Sequence, residues 1–90
     1  MYYNTVVTVL MNGGNMDRLL ELLQDVRDDV DFETCETLID DEILASFDIL
    51  QIIASINETF GVEIPSTYII PKNFNSMKAM YSMIEKLQED

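Results

Sequence analysis

From Met16 onward, apolar residues recur at steps of three and four, the spacing of one helix face. Leu19, Leu20, Leu22, Leu23, Val26 and Val30 form the first stripe. It predicts a helix over about Met16–Asp28, with Asp17 suited to the positive end of its dipole. A second stripe, Ile49, Leu50, Ile53, Ile56 and Phe60, predicts a helix over Ser46–Phe60 that stops at Gly61, a natural C-terminal cap. Ile52 falls at the edge of that face and is expected to be partly exposed. The link Val62-Glu63-Ile64-Pro65 reads as extended, because Pro65 disfavours helix at Ile64. Ser66-Thr67-Tyr68-Ile69-Ile70 has room for one short helical turn before Pro71. Asn75 or Ser76 then caps a last helix over about Ser76–Gln88. Its apolar face is Met77, Met80, Tyr81, Ile84 and Leu87, and the methionines read as core filling rather than a cofactor site.

Between the first two helices lies a long acidic stretch, from Asp28 to Leu44. Its scattered apolar residues suit a loop pinned to the core at Phe32, Leu38, Ile39 and Leu44. Acids at Asp29, Asp31 and Glu33 superficially match a calcium loop, but Thr34 stands where the EF-hand turn requires glycine. That leaves at most weak surface binding of divalent cations. The expected fold is therefore all-α, a four-helix bundle with a long first loop and a short third helix.

The beginning of the chain differs. Residues 1–15 carry no charged side chain at neutral pH. Tyr2 to Leu10 favours β structure by composition, yet no later segment offers a second strand to pair with it. A secretory signal is not expected, since a basic start and a small-residue cleavage site are lacking. Residues 1–15 are read as an extension, poorly ordered or loosely packed, and residues 16–90 as the folded domain. Met16 is read as the translation start. Asn12-Gly13-Gly14-Asn15 is encodable by a purine-rich ribosome-binding sequence, and a gene without such a string would remove that basis.

Size and composition narrow the chemistry. Ninety residues give a thin core and little room for an enclosed active site. There is no histidine, which removes the usual general base, the Ser–His and Cys–His pairs and imidazole metal ligands. Cys35 is the only cysteine, so no internal disulfide forms, and a reducing compartment is expected. It lies between Glu33 and Glu36, the opposite of the cationic setting a reactive thiol needs, and reads as a packing residue. A net charge of −12, from 17 acids against 5 bases, repels nucleic acid and anionic membranes and steers the chain toward basic protein surfaces. No apolar run is long enough to span a bilayer.

Ser46 is the residue with the most chemical promise. It stands where the acidic loop Asp40-Asp41-Glu42 gives way to the second helix, in Ile43-Leu44-Ala45-Ser46-Phe47-Asp48-Ile49-Leu50. A hydroxyl there sits among free backbone N–H groups at the positive end of the macrodipole, an environment that holds a phosphate. Its octapeptide alone favours the plainer reading, in which Ser46 is only the helix N-cap.

Taken in order, these features resemble the acyl carrier protein family. The resemblance covers about Met16 to Leu87. It rests on a serine opening helix two, then Phe47 and an apolar helix to Phe60. Phe60-Gly61-Val62-Glu63-Ile64-Pro65 follows, and then a short third and a capped fourth helix. The ordered set carries the likeness rather than any one motif. It implies a four-helix bundle of acyl-carrier type. A phosphopantetheinyl transferase would attach phosphopantetheine from coenzyme A to Ser46 Oγ through a phosphodiester. The arm's thiol would then carry acyl or aminoacyl groups as thioesters. The chain would itself catalyse nothing and hold no metal. Its partners would be that transferase, an acyl or aminoacyl ligase, and downstream transferases or synthases of fatty-acid or secondary-metabolite biosynthesis. A monomer in the bacterial cytoplasm is the expectation, without nucleic-acid binding or stable membrane insertion.

Two departures qualify the likeness. The family usually has Asp immediately before the modified serine, and this chain has Ala45. That leaves three outcomes open: slow modification, a specialised transferase, or a carrier-like chain that stays unmodified. On helix two, Gln51, Ser55 and Asn57 dilute the acids that fatty-acid carriers present, leaving Asp48 and Glu58. The acids gather instead in the loop before Ser46. Partner contact is accordingly expected at Asp40, Asp41, Phe47 and Asp48. Ile52 and Ile69 are further candidates, with burial as the alternative for both. Phe47 and Pro71-Lys72-Asn73-Phe74-Asn75 are similar to D-alanyl carrier proteins and stand-alone carriers of biosynthetic clusters. The competing reading is an unmodified helical interaction module with Ser46 as a cap. An independent enzyme fits less well, because no nucleophile–base pair is visible.

Overall fold

The computed structural model describes residues 14–89. Within them the chain is helical, with no strand: α1 spans Gly14–Val26, α2 Ser46–Phe60, α3 Pro71–Phe74 and α4 Met77–Glu89, and one 3₁₀ turn spans Ser66–Tyr68. The expectations for residues 1–13 lie outside the described residues. Gly14 and Asn15 belong to α1, which begins two residues before the expected start.

The α1 helix buries Leu19, Leu22 and Leu23, the stripe its periodicity marked. It ends at Val26 rather than Asp28. Asp28 and Asp29 would meet the negative end of the helix dipole if the helix ran on, and Asp29 instead turns back to the Arg27 guanidinium. Two contacts show that α2 runs antiparallel to α1. Near the start of α1, Arg18 donates to the Thr59 carbonyl at 3.0 Å and lies over the Phe60 ring, 5.5 Å from its centre. Just past the end of α1, Arg27 meets Asp48 at the start of α2.

The loop between them is held by Phe32, Leu38 and Leu44, all buried, with Ile39 half-buried beside them. These are the expected pins. α2 keeps its expected bounds, and Gly61 closes it in the left-handed region at φ 67°, its N–H donating to the Asn57 carbonyl at 3.0 Å. Glycine adopts that conformation without the Cβ clash other residues meet.

The buried face of α2 is rotated from the expected one. Ile52 and Ile56 are fully buried together with Asp48, whereas Ile49, Ile53 and Phe60 are half-buried and Leu50 is 63% exposed. The stripe read from the sequence places Leu50 inward and Ile52 at the edge. Asp48 lies on the same side as Ile52 and Ile56 and meets the Arg27 guanidinium just past the end of α1.

The third helical region is two pieces rather than one. The 3₁₀ turn falls where the short turn was expected, and α3 follows it, with Pro71 at the first helical position, where a missing N–H costs nothing. Phe74 anchors α3 in the core. Ser76 caps α4, its Oγ accepting the Ala79 N–H at 3.0 Å. Met80 and Ile84 are buried as expected, and Met83 joins them, a position the apolar stripe had not included.

Candidate functional site

The first turn of α2 begins with Ala45 as the cap residue, in an extended conformation, and Ser46 is the first residue inside the helix. This corrects the reading of Ser46 as the N-cap. Propensity favours Ser over Ala at a cap, but the first helical hydrogen bond runs from the Ile49 N–H to the Ala45 carbonyl at 3.1 Å. Ala45 has no side-chain oxygen, so the N–H groups of the first turn receive no acceptor from the cap residue. Ser46 is exposed at this open, electropositive end.

Asp48 completes the turn from the inside. Its Oδ2 accepts the Ala45 N–H at 2.9 Å and Arg27 Nη1 at 2.8 Å. Arg27 Nη1 also reaches the Ile43 carbonyl at 3.3 Å, while Nε and Nη2 each meet an oxygen of Asp29 at 2.8 Å. Those hydrogen bonds, then a backbone one, hold the Asp29 carboxyl down to about 2 from 3.8. The Arg27 guanidinium is raised further above its ordinary range, by Asp29 first and then Asp48. Two expected partner residues therefore change place. Asp48 is 9% exposed and committed to internal partners, and Ile52 is fully buried, so neither offers a contact surface. Hydropathy could not foresee a carboxylate facing inward, because its cation comes from 21 residues away.

The acidic turn before Ser46 is tightly tied. The Asp41 N–H donates to the Thr37 carbonyl at 2.9 Å and Thr37 Oγ1 to Asp41 Oδ2 at 2.7 Å. Glu42 takes a positive φ of 55°, its N–H donating to the Ile39 carbonyl at 2.9 Å. The turn is fastened from α3 by Asn75, whose Oδ1 accepts the N–H groups of Ile39 and Asp40 at 3.0 Å each. Its Nδ2 donates to Asp40 Oδ2 at 3.2 Å. Asn75 was read as a possible cap for the last helix, and nothing in the local sequence announces this long-range role. Asp40 and Asp41 themselves are exposed, on the approach to Ser46.

Apolar surface adjoins the same end. Phe47 is 67% exposed, and Leu50, Ile69 and Ile70 are exposed as well. Leu50 lies one turn beyond Ser46 on the same row of the helix. A small cleft of about 90 Å³ opens beside α2 at Ile49, lined also by Ile39, Ile69, Ile70, Pro71 and Phe74. Phe47 and Ile69 are thus where a partner could reach them, and Leu50 and Ile70 extend that surface beyond the residues the sequence singled out. A wider groove of about 630 Å³ lies on the other side of Ile70, between Tyr68, Lys72, Met83 and Lys86, and includes no residue of α2. No helix among the described residues is long and apolar enough to cross a membrane.

The site is thus an exposed serine at the start of a helix, preceded by a pinned acidic turn whose Ile39 also lines a small apolar cleft. Comparison of the chain with models of protein families, with curated proteins and with solved structures finds no match in any of the three, so its meaning rests on these residues and their geometry.

Proposed function

We propose that the chain is an acyl-carrier-type protein that bears phosphopantetheine on Ser46. One observation carries the reading: Ser46 is exposed at the first position of α2, where the cap residue leaves the backbone N–H groups open. An anion placed on Ser46 Oγ would meet those groups and the positive end of the dipole. Ala45 ends at Cβ and Asp48 is turned inward, so neither of these two side chains occupies the open end. The residues present therefore fit a phosphodiester at this position. When bound, the arm supplies a thiol that holds acyl or aminoacyl groups as thioesters. The chain's own contribution is to present the attachment point and to dock partners. Tethering raises the effective concentration of the carried group at each partner enzyme.

The partner surface supported by the geometry is Phe47, Leu50 and Ile69, with Asp40 and Asp41 beside them. It suits an apolar recess with a basic rim: a transferase, a ligase and downstream enzymes in turn. The cleft lined by Ile49, Ile69 and Phe74 offers apolar contact to the near part of a carried chain. Co-expression with a broad-specificity phosphopantetheinyl transferase, followed by peptide mapping, tests the reading. Modification located on Ser46 supports it. Modification on another serine places the site elsewhere.

A second reading, an unmodified docking module, is favoured by Ala45. An Asp there would add a carboxylate beside Ser46 for a transferase or its metal ion, and Ala45 adds none. An Ala45→Asp variant that is modified when the parent is not would identify that residue as the block.

A further inference from the structure

Arg27 stands just past the end of α1, and its guanidinium is shared among three segments. It holds both oxygens of Asp29 at 2.8 Å, at the start of the long loop. It reaches the Ile43 carbonyl at 3.3 Å, at the end of that loop. It also meets Asp48 Oδ2 at 2.8 Å, in the first turn of α2. That same oxygen accepts the Ala45 N–H at 2.9 Å. Ser46 therefore lies in sequence between Ala45 and Asp48, the two residues this bond joins, and Arg27 is the cation on the same oxygen.

We propose that Arg27 is a positioning residue for Ser46: it keeps the Asp48 carboxylate folded beneath the first turn of α2, which fixes Ala45 and keeps that carboxylate's charge away from the outward end of the turn. Without the guanidinium, an almost fully buried carboxylate loses its counter-ion. It must then stay buried and unpaired or swing out to water. Swinging out breaks the bond to the Ala45 N–H and puts a negative charge at the helix end that an anion on Ser46 would use. Fastening the turn is a property of the unmodified chain. Only its consequence for loading rests on the carrier reading.

The test compares Arg27→Met, Asp48→Asn and the double variant. Asparagine keeps an oxygen for the Ala45 N–H while removing the charge that needs Arg27. Amide hydrogen exchange is followed by NMR on unmodified protein, with Met80 and Ile84 in α4 as core references. Arg27→Met is expected to speed exchange at Ala45 by about tenfold beyond any change at the references. The double variant is expected to return Ala45 to the level of Asp48→Asn alone. Unchanged Ala45 exchange in Arg27→Met, or a double variant no better protected than Arg27→Met, would overturn the proposal. If Arg27→Met does not fold but the double variant does, the damage comes from the unpaired carboxylate and the proposal stands. If neither folds, Arg27 does more than hold Asp48 and the proposal fails. The rate of phosphopantetheine transfer is the second readout, expected to fall in Arg27→Met and recover in the double variant. Parent protein that accepts no phosphopantetheine would remove the carrier reading alone, since the exchange measurement still decides the role of Arg27.

Discussion

Asn75 and Asp40 are joined across 35 residues of chain, the Asn75 amide donating to the Asp40 carboxylate at 3.2 Å while its oxygen accepts the Asp40 N–H at 3.0 Å. The same oxygen takes the Ile39 N–H. One side chain thus fixes the acidic turn against α3. Asn75→Ala leaves two N–H groups without this acceptor, one of them partly buried. It is expected to cost about 1–3 kcal/mol, toward the lower end because water can reach Asp40. Urea denaturation measures the loss, and no change in midpoint would contradict the fastening role.

Two serines near helix starts should behave oppositely. Ser76 Oγ accepts the Ala79 N–H, so Ser76→Ala should cost about 0.5–2 kcal/mol. Ser46 is exposed and is not the cap, so Ser46→Ala should stay within about 0.5 kcal/mol of the parent. Thermal or chemical denaturation of both variants decides this. A loss at Ser46 equal to that at Ser76 would restore Ser46 as the cap.

The rotated face of α2 has its own signature. Ile52 is fully buried, and Ile52→Ala is expected to destabilise by about 2–5 kcal/mol. Leu50 is 63% exposed, and Leu50→Ala should fall within about 0.5 kcal/mol. The stripe read from the sequence ranks these two the other way. Denaturation midpoints in that reverse order would contradict the packing described above.

Acid titration should expose the Arg27–Asp29 pair. The Asp29 carboxyl is held down to about 2, chiefly by its hydrogen bonds from Arg27, against an ordinary 3.8. A depressed carboxyl contributes stability that is complete above its unfolded value and lost as pH falls through its folded value. The difference in stability between parent and Asp29→Asn should therefore be constant from neutral pH down to about 3.8 and vanish toward about 2. Equilibrium unfolding across that range checks the slope. A difference that changes near neutral pH would contradict this origin.

Much of the fold is legible because it is local. Leu19, Leu22 and Leu23 face inward as their spacing requires, α2 spans the predicted residues, and Gly61 ends it. Phe32, Leu38 and Leu44 pin the loop because isolated apolar residues in an acidic stretch have few other places to go. What escaped depends on partners far along the chain. Asp48 turns inward where Arg27 meets it, on the face that also buries Ile52 and Ile56 and leaves Leu50 outside. Asn75 reads locally as a helix cap, yet it serves the turn around Asp40. Pro71 reads as a stop, yet it opens α3, since the same missing N–H suits both roles. At the candidate site Ser46, Phe47, Asp40 and Asp41 were singled out in the sequence, and Ile69 with burial as its alternative; their exposure, and that of Leu50 and Ile70, emerged only with the packing.

The carrier role turns on one measurement. The chain is incubated with coenzyme A and a broad-specificity phosphopantetheinyl transferase, and intact mass is read beside that of Ser46→Ala. The account predicts a gain of one phosphopantetheine on the parent and none on the variant. No gain on the parent, with a known carrier fully modified in the same tube, would contradict it and leave an unmodified docking module as the better description.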